Sequence, residues 1–148
     1  MLEQKIEDDL NAALLAGDSQ RVSTLRGLKA TLLNIKIASG KRDSGLNDDE
    51  VLAQLAKQAK QRQESADMYV QGGDQARADA ELAEKAIIEA YLPAQLSEAE
   101  IASLIDEVIA QTSAGPAAMG QVIGAVKAKA GAAADGAVIA RLAKEKLQ

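Results

Sequence analysis

From Leu2 to Leu147 the apolar residues of this chain recur every three or four positions, and no segment alternates with period two over a useful length. Such spacing lines one stripe of a helix, whereas a half-buried strand needs strict alternation. The 148 residues include 31 alanines, the strongest helix former, which points the same way. The expected class is all-α.

Punctuation divides the pattern into seven helices. Leu2, Ile6, Leu10 and Ala13–Leu14 mark a first helix, stopped by Gly17. Asp18 is placed to cap a second, with Val22, Leu25, Leu28, Leu32 and Ile35 on one face and an end near Gly40. Asn47 and Glu50 have the spacing of a capping box, opening a third helix. Its apolar stripe is thin: Val51, Leu52, Leu55, Ala59, Ala66 and Tyr69, broken at Gly72–Gly73. A fourth is expected from about Asp74 to Tyr91, facing inward through Leu82, Ala83, Ala86, Ile87 and Ala90, and Pro93 ends it. Ser97 and Glu100 form a second capping box before Ile101, Leu104, Ile105, Val108 and Ile109. After Gly115–Pro116, Met119, Val122, Ile123 and Val126 give a sixth helix closed by Gly131. Asp135 caps the seventh, which buries Val138, Ile139, Leu142 and Leu147.

Short loops favour antiparallel helical hairpins. The Leu92–Pro93 junction separates four longer, polar helices from three shorter ones with denser aliphatic faces. Two small helical domains are therefore expected, a four-helix unit over residues 1–92 and a three-helix unit over 93–148. Gly120 and Gly124 read as helix-packing positions where a neighbouring backbone comes close. Lys127 and Lys129 on the same helix exclude the membrane version of that motif. Tyr91 and Pro93 read as structural residues that set the angle between the domains.

Composition removes whole classes of chemistry. With no His and no Cys, zinc sites of the usual kind, Ser–His–Asp and Cys–His nucleophiles and disulfides are impossible. Tyr69 and Tyr91 are the only aromatic residues, so bases cannot be gripped by stacking on rings. No apolar run approaches the ~18–20 residues of a membrane span, and the N-terminus lacks the basic-then-apolar layout of a signal peptide. The expectation is a cytoplasmic protein with no metal, no cofactor and no membrane partner. Asp8–Asp9 and Asp48–Asp49–Glu50 are the carboxylate groupings, but acids in a first helical turn complement the helix dipole. Gly72–Gly73 lacks the Lys-Ser/Thr of a phosphate loop. No catalytic residue is assigned.

The net charge of −5 hides a segregated distribution. Between Ser19 and Arg42 lie six basic residues (Arg21, Arg26, Lys29, Lys36, Lys41 and Arg42) and no acidic one, and Lys57, Lys60 and Arg62 follow on the next helix. From Pro116 onward Lys127, Lys129, Arg141, Lys144 and Lys146 face only Asp135 and Glu145, while residues 93–115 hold four acids and no base. Two readings stand. The basic stretches form a surface for a polyanion, with Lys127, Lys129, Arg141 and Lys144 as the main RNA-binding candidates and Arg26, Lys29, Lys36, Lys60 and Arg62 as a second patch. Alternatively they pair with acidic neighbours such as Glu64, Asp67, Glu81 or Glu84.

Three motifs resemble one family. They are Tyr91-Leu92-Pro93 leading into Ser97–Ile101; Met119-Gly120-Gln121-Val122-Ile123-Gly124 with Gly131 and Asp135-Gly136; and, upstream, Lys57–Ser65. In this order they are similar to the YqeY family, whose C-terminal domain resembles the tail of the GatB subunit of tRNA-dependent amidotransferase. The resemblance spans nearly the whole chain. It departs at Ala132–Ala134 and at Gly72–Ala76, where relatives commonly carry more positive charge. It implies a two-domain helical protein tied to tRNA amidation through a shared tail-like domain, without the catalytic cradle. The implied role is a non-catalytic accessory protein binding tRNA or other RNA. The alternatives are a protein-interaction adaptor, with the Val51–Tyr69 stripe as its groove, or a component of a carbon–nitrogen ligase using glutamine as amido-N-donor beside a separate catalytic subunit.

Overall fold

The structure, a computed structural model, describes residues 1–112 and 115–148; Ser113 and Ala114, and the side chain of Pro116, lie outside the description. The described residues contain seven α-helices and no strand: α1 (Leu2–Ala16), α2 (Ser19–Ala38), α3 (Asp48–Gln71), α4 (Gln75–Glu89), α5 (Glu98–Thr112), α6 (Met119–Ala130) and α7 (Gly136–Leu147). They form two compact units, Met1–Leu92 and Pro93–Gln148.

Local chemistry explains the helix ends. Gly17 sits at φ 71°, the left-handed conformation a glycine tolerates without a Cβ penalty, and it stops α1. Asp18 accepts from the Arg21 N–H and starts α2. Both capping boxes are complete: Glu50 N–H donates to Asn47 while Asn47 N–H donates to Glu50, and Ser97 and Glu100 do the same. Asp135 accepts from the Ala137 N–H to open α7. Each such cap contributes about 1 kcal/mol.

In the first unit α1 and α2 pack as a hairpin beside the α3–α4 hairpin. Ile6, Leu10, Leu25, Leu28, Leu55 and Ile88 are central to its core. The second unit folds α5, α6 and α7 around Ile105, Val122, Val126 and Ile139, all fully buried. Truncating one of these to alanine costs about 2–5 kcal/mol.

Four apolar expectations need correction. Leu14 and Met119 are exposed rather than core residues. The inward face of α4 is turned in part from the expected one: Ile87 packs against the core as expected, but Leu82, Ala86 and Ala90 are exposed, and Ala78 and Ile88 are the buried positions. The cause lies in α3. Arg62 occupies the α3–α4 seam and draws Glu81 and Glu84 toward it, at 3.4 and 3.3 Å. A polar cluster thus fills part of a face that hydrophobicity alone would have assigned elsewhere. Finally, Gly120 and Gly124 are surface positions, and a Cβ at either would meet nothing within 4 Å. They do not seat a neighbouring backbone.

Candidate nucleic-acid interface

The candidate cations divide by whether a carboxylate meets them. On α2, Lys29 reaches Glu7 at 2.7 Å and Lys36 reaches Glu3 at 3.1 Å, both across the α1–α2 hairpin. The Lys29 ammonium holds the Glu7 carboxyl below the usual range, so that pair is electrostatically engaged. Arg21 adds a longer contact to Asp9 at 3.9 Å, and Lys41 pairs with Glu50 of α3. Arg62 is committed to the α3–α4 seam; its Nε lies close to Glu84 but off a hydrogen-bonding line. Lys60 is not a free cation either. Arg26 is exposed and meets no acidic group among the described residues.

The second unit repeats the division. Lys129 pairs with Glu107 at 3.2 Å and Lys146 with Asp106 at 2.7 Å. Arg141 binds Glu98 as well as Glu145, the latter at 3.3 Å. The acidic face of α5 is therefore met by cations from α6 and α7, which explains the segregated charge of this half as complementarity inside one unit. Lys127 and Lys144 have no carboxylate partner among the described residues. The Lys127 side chain lies along the first turn of α7: a Cβ on Gly136 would stand 2.9 Å from its Cε and 3.2 Å from its Nζ. The missing side chain at Gly136 is what leaves room for that lysine.

The model of the Yqey-like protein family matches residues 3–147. The chain belongs to the YqeY family. No curated protein is similar enough to add to that match.

In this YqeY chain the motif residues take distinct places. Tyr91 is buried in the first unit, where its hydroxyl donates to Asp9 at 2.5 Å and ties the end of α4 to α1. Pro93 is exposed. Gly131 closes α6 at φ 56° and ψ −134°, where a side chain would be strained. Asp135 and Gly136 open α7, as cap and first helical residue. The Val51–Tyr69 stripe is no open groove: Val51, Leu55, Ala59 and Ala66 are all buried within the unit.

Among the described residues no three Asp or Glu are grouped to hold a metal ion, and no helix is long and apolar enough to cross a membrane. What the sequence did not signal is a shallow concavity of about 450 Å³ beside Arg26, lined by Leu14, Gly17, Ser19, Val22 and Ser23. It arises because Gly17 turns the chain sharply between α1 and α2, leaving Leu14 uncovered.

Proposed function

We propose that this chain is a non-catalytic accessory protein that binds tRNA or another RNA through phosphate contacts, with Lys127 and Lys144 as the principal cations. One observation carries the reading: of the five cations in the second unit, these two have no carboxylate partner among the described residues. A paired cation must give up its carboxylate before it can meet a phosphate; an unpaired one need not. Lys127, on α6, extends its exposed side chain along the first turn of α7. The family's likeness to an amidotransferase tail supports RNA as the polyanion. Arg26 is the remaining unpaired candidate of the first unit and plays the lesser part. With so few aromatic residues, recognition is of backbone and shape, not of bases.

Titration of labelled bulk tRNA at low and moderate salt tests this reading. Two phosphate contacts predict weak binding whose log–log salt slope is about −2. Reversing both charges, Lys127→Glu with Lys144→Glu, removes most of that binding. Absence of binding at low salt, or binding that the double reversal leaves intact, overturns the proposal.

A further inference from the structure

The five cations of the second unit differ in the direction their helices turn them. At about 100° per residue, Lys129 stands about 200° from Lys127 on α6, and Lys146 the same from Lys144 on α7. Each pair therefore occupies opposite sides of its helix. Lys129 and Lys146 are the two turned to α5, where Glu107 and Asp106 meet them. Lys127 reaches Gly136 in the first turn of α7, and Lys144 follows on the same helix, about 12 Å along the axis and about 80° round. Arg141, about 60° from Lys144, shares the solvent side with it, away from the fully buried Ile139 and Ala143. Of the three cations on this side, Arg141 alone is closed. Its Nη2 meets Glu98 of α5, and its Nη1 meets Glu145 of its own helix at 3.3 Å.

We propose that Glu98 and Glu145 are a built-in competitor for phosphate, which holds Arg141 in the free protein and yields it to a third phosphate of the RNA. This rests on the reading that Lys127 and Lys144 bind RNA. The side chains of Arg141, Glu98 and Glu145 are 48%, 65% and 59% exposed, so solvent screens both pairs and a phosphate can displace the carboxylates. A guanidinium suits the exchange, because its planar fork donates to phosphate in the same two-pronged geometry that it offers to carboxylates. In the closed arrangement the cluster of one guanidinium and two carboxylates carries a net negative charge beside Lys144, and it opposes the approach of a polyanion. The clamp thus keeps RNA binding weaker than the cations of this face would allow by themselves. Lys129 and Lys146 are also paired, but they are turned to α5 and take no part in the exchange.

Three variants of the full chain test the clamp by titration of bulk tRNA over a series of salt concentrations. Glu98→Gln with Glu145→Gln opens it. This variant is expected to bind about fivefold tighter at low salt, with a log–log salt slope near about −3 instead of about −2, because one more phosphate is neutralised. Asp106→Asn with Glu107→Gln changes the net charge equally within the same unit, but it frees cations on the other side of the helices. Its slope stays at about −2. Adding Arg141→Gln to the open variant returns its slope to about −2 as well. All five side chains are exposed, so helical circular dichroism is the same for every variant. An open variant that binds no better than the charge-matched control, or a gain that survives Arg141→Gln, overturns the clamp alone. Absence of binding by the unsubstituted chain and the open variant alike overturns the RNA reading, and the clamp with it.

Discussion

Tyr91 and Asp9 form the most constrained polar pair in the first unit. Burial and the neighbouring Asp9 carboxylate push the phenol well above its ordinary value, and the donated hydrogen bond holds the Asp9 carboxyl below its own. A raised phenol pKa means that the folded state holds the proton more tightly than the unfolded chain. Its stabilising effect is complete below about pH 10 and is lost as pH rises beyond that. In a Tyr69→Phe background, which leaves Tyr91 as the sole tyrosine, tyrosinate absorbance is expected to appear only together with alkaline unfolding. Tyr91→Phe keeps the ring and removes the hydroxyl. It should cost about 1–2 kcal/mol in urea unfolding, with Lys5, 3.3 Å from Asp9, still facing the carboxylate. A tyrosinate signal rising near pH 10 in the folded protein would contradict the geometry.

Individual helices were readable from sequence to the extent that their determinants are local. A cap needs an acceptor two or three residues from its N–H, as at Asp18, Asn47, Ser97 and Asp135, and such spacing is visible in the chain itself. The face of α4 was not readable, because it depends on Arg62, nineteen residues before Glu81. The fate of the basic stretches was hidden for the same reason. Lys36 finds Glu3 and Lys146 finds Asp106 only after the helices have packed, and neither distance along the chain nor helix period signals that encounter. Gly120 and Gly124 show the converse error, a spacing that looks like close packing and has open space beside it. The α3–α4 seam also predicts a separation of roles. Arg62→Ala leaves Glu81 and Glu84 facing each other half-buried, and should cost about 1–2 kcal/mol once solvent screening is allowed for. Its affinity for tRNA should be that of the unsubstituted protein. Reduced RNA affinity with unchanged stability would return Arg62 to the RNA-binding set.

On the scale of the whole molecule, each unit has its own core. The carboxyls of Glu7, Asp9, Asp48 and Glu50 are all held below their ordinary values: Glu7 by Lys29, Asp9 by Tyr91, Asp48 by the Leu2 N–H and the terminal ammonium, Glu50 by Lys41 and the Asn47 N–H. A depressed carboxyl pKa stabilises the fold above the unfolded value and ceases to do so as pH falls through the folded one. All four groups belong to the first unit, as do both tyrosines, so tyrosine fluorescence reports on that unit selectively. Its urea midpoint is expected to be level from about pH 5 to 8 and to fall below about pH 4.5. A midpoint level down to pH 3 would show that these pairs contribute nothing.

The hydrogen bond from Tyr91 to Asp9 joins residues 82 apart. During synthesis α1 leaves the ribosome before the rest of its unit, and its contact with Tyr91 is made by one of the unit's final residues. A nascent chain ending before Ile88 and Tyr91 lacks two members of the core into which Ile6 and Leu10 pack. The core of the first unit is therefore completed only when its own end emerges, and until then the α1–α2 hairpin lacks the cover that Ile88 and Tyr91 supply.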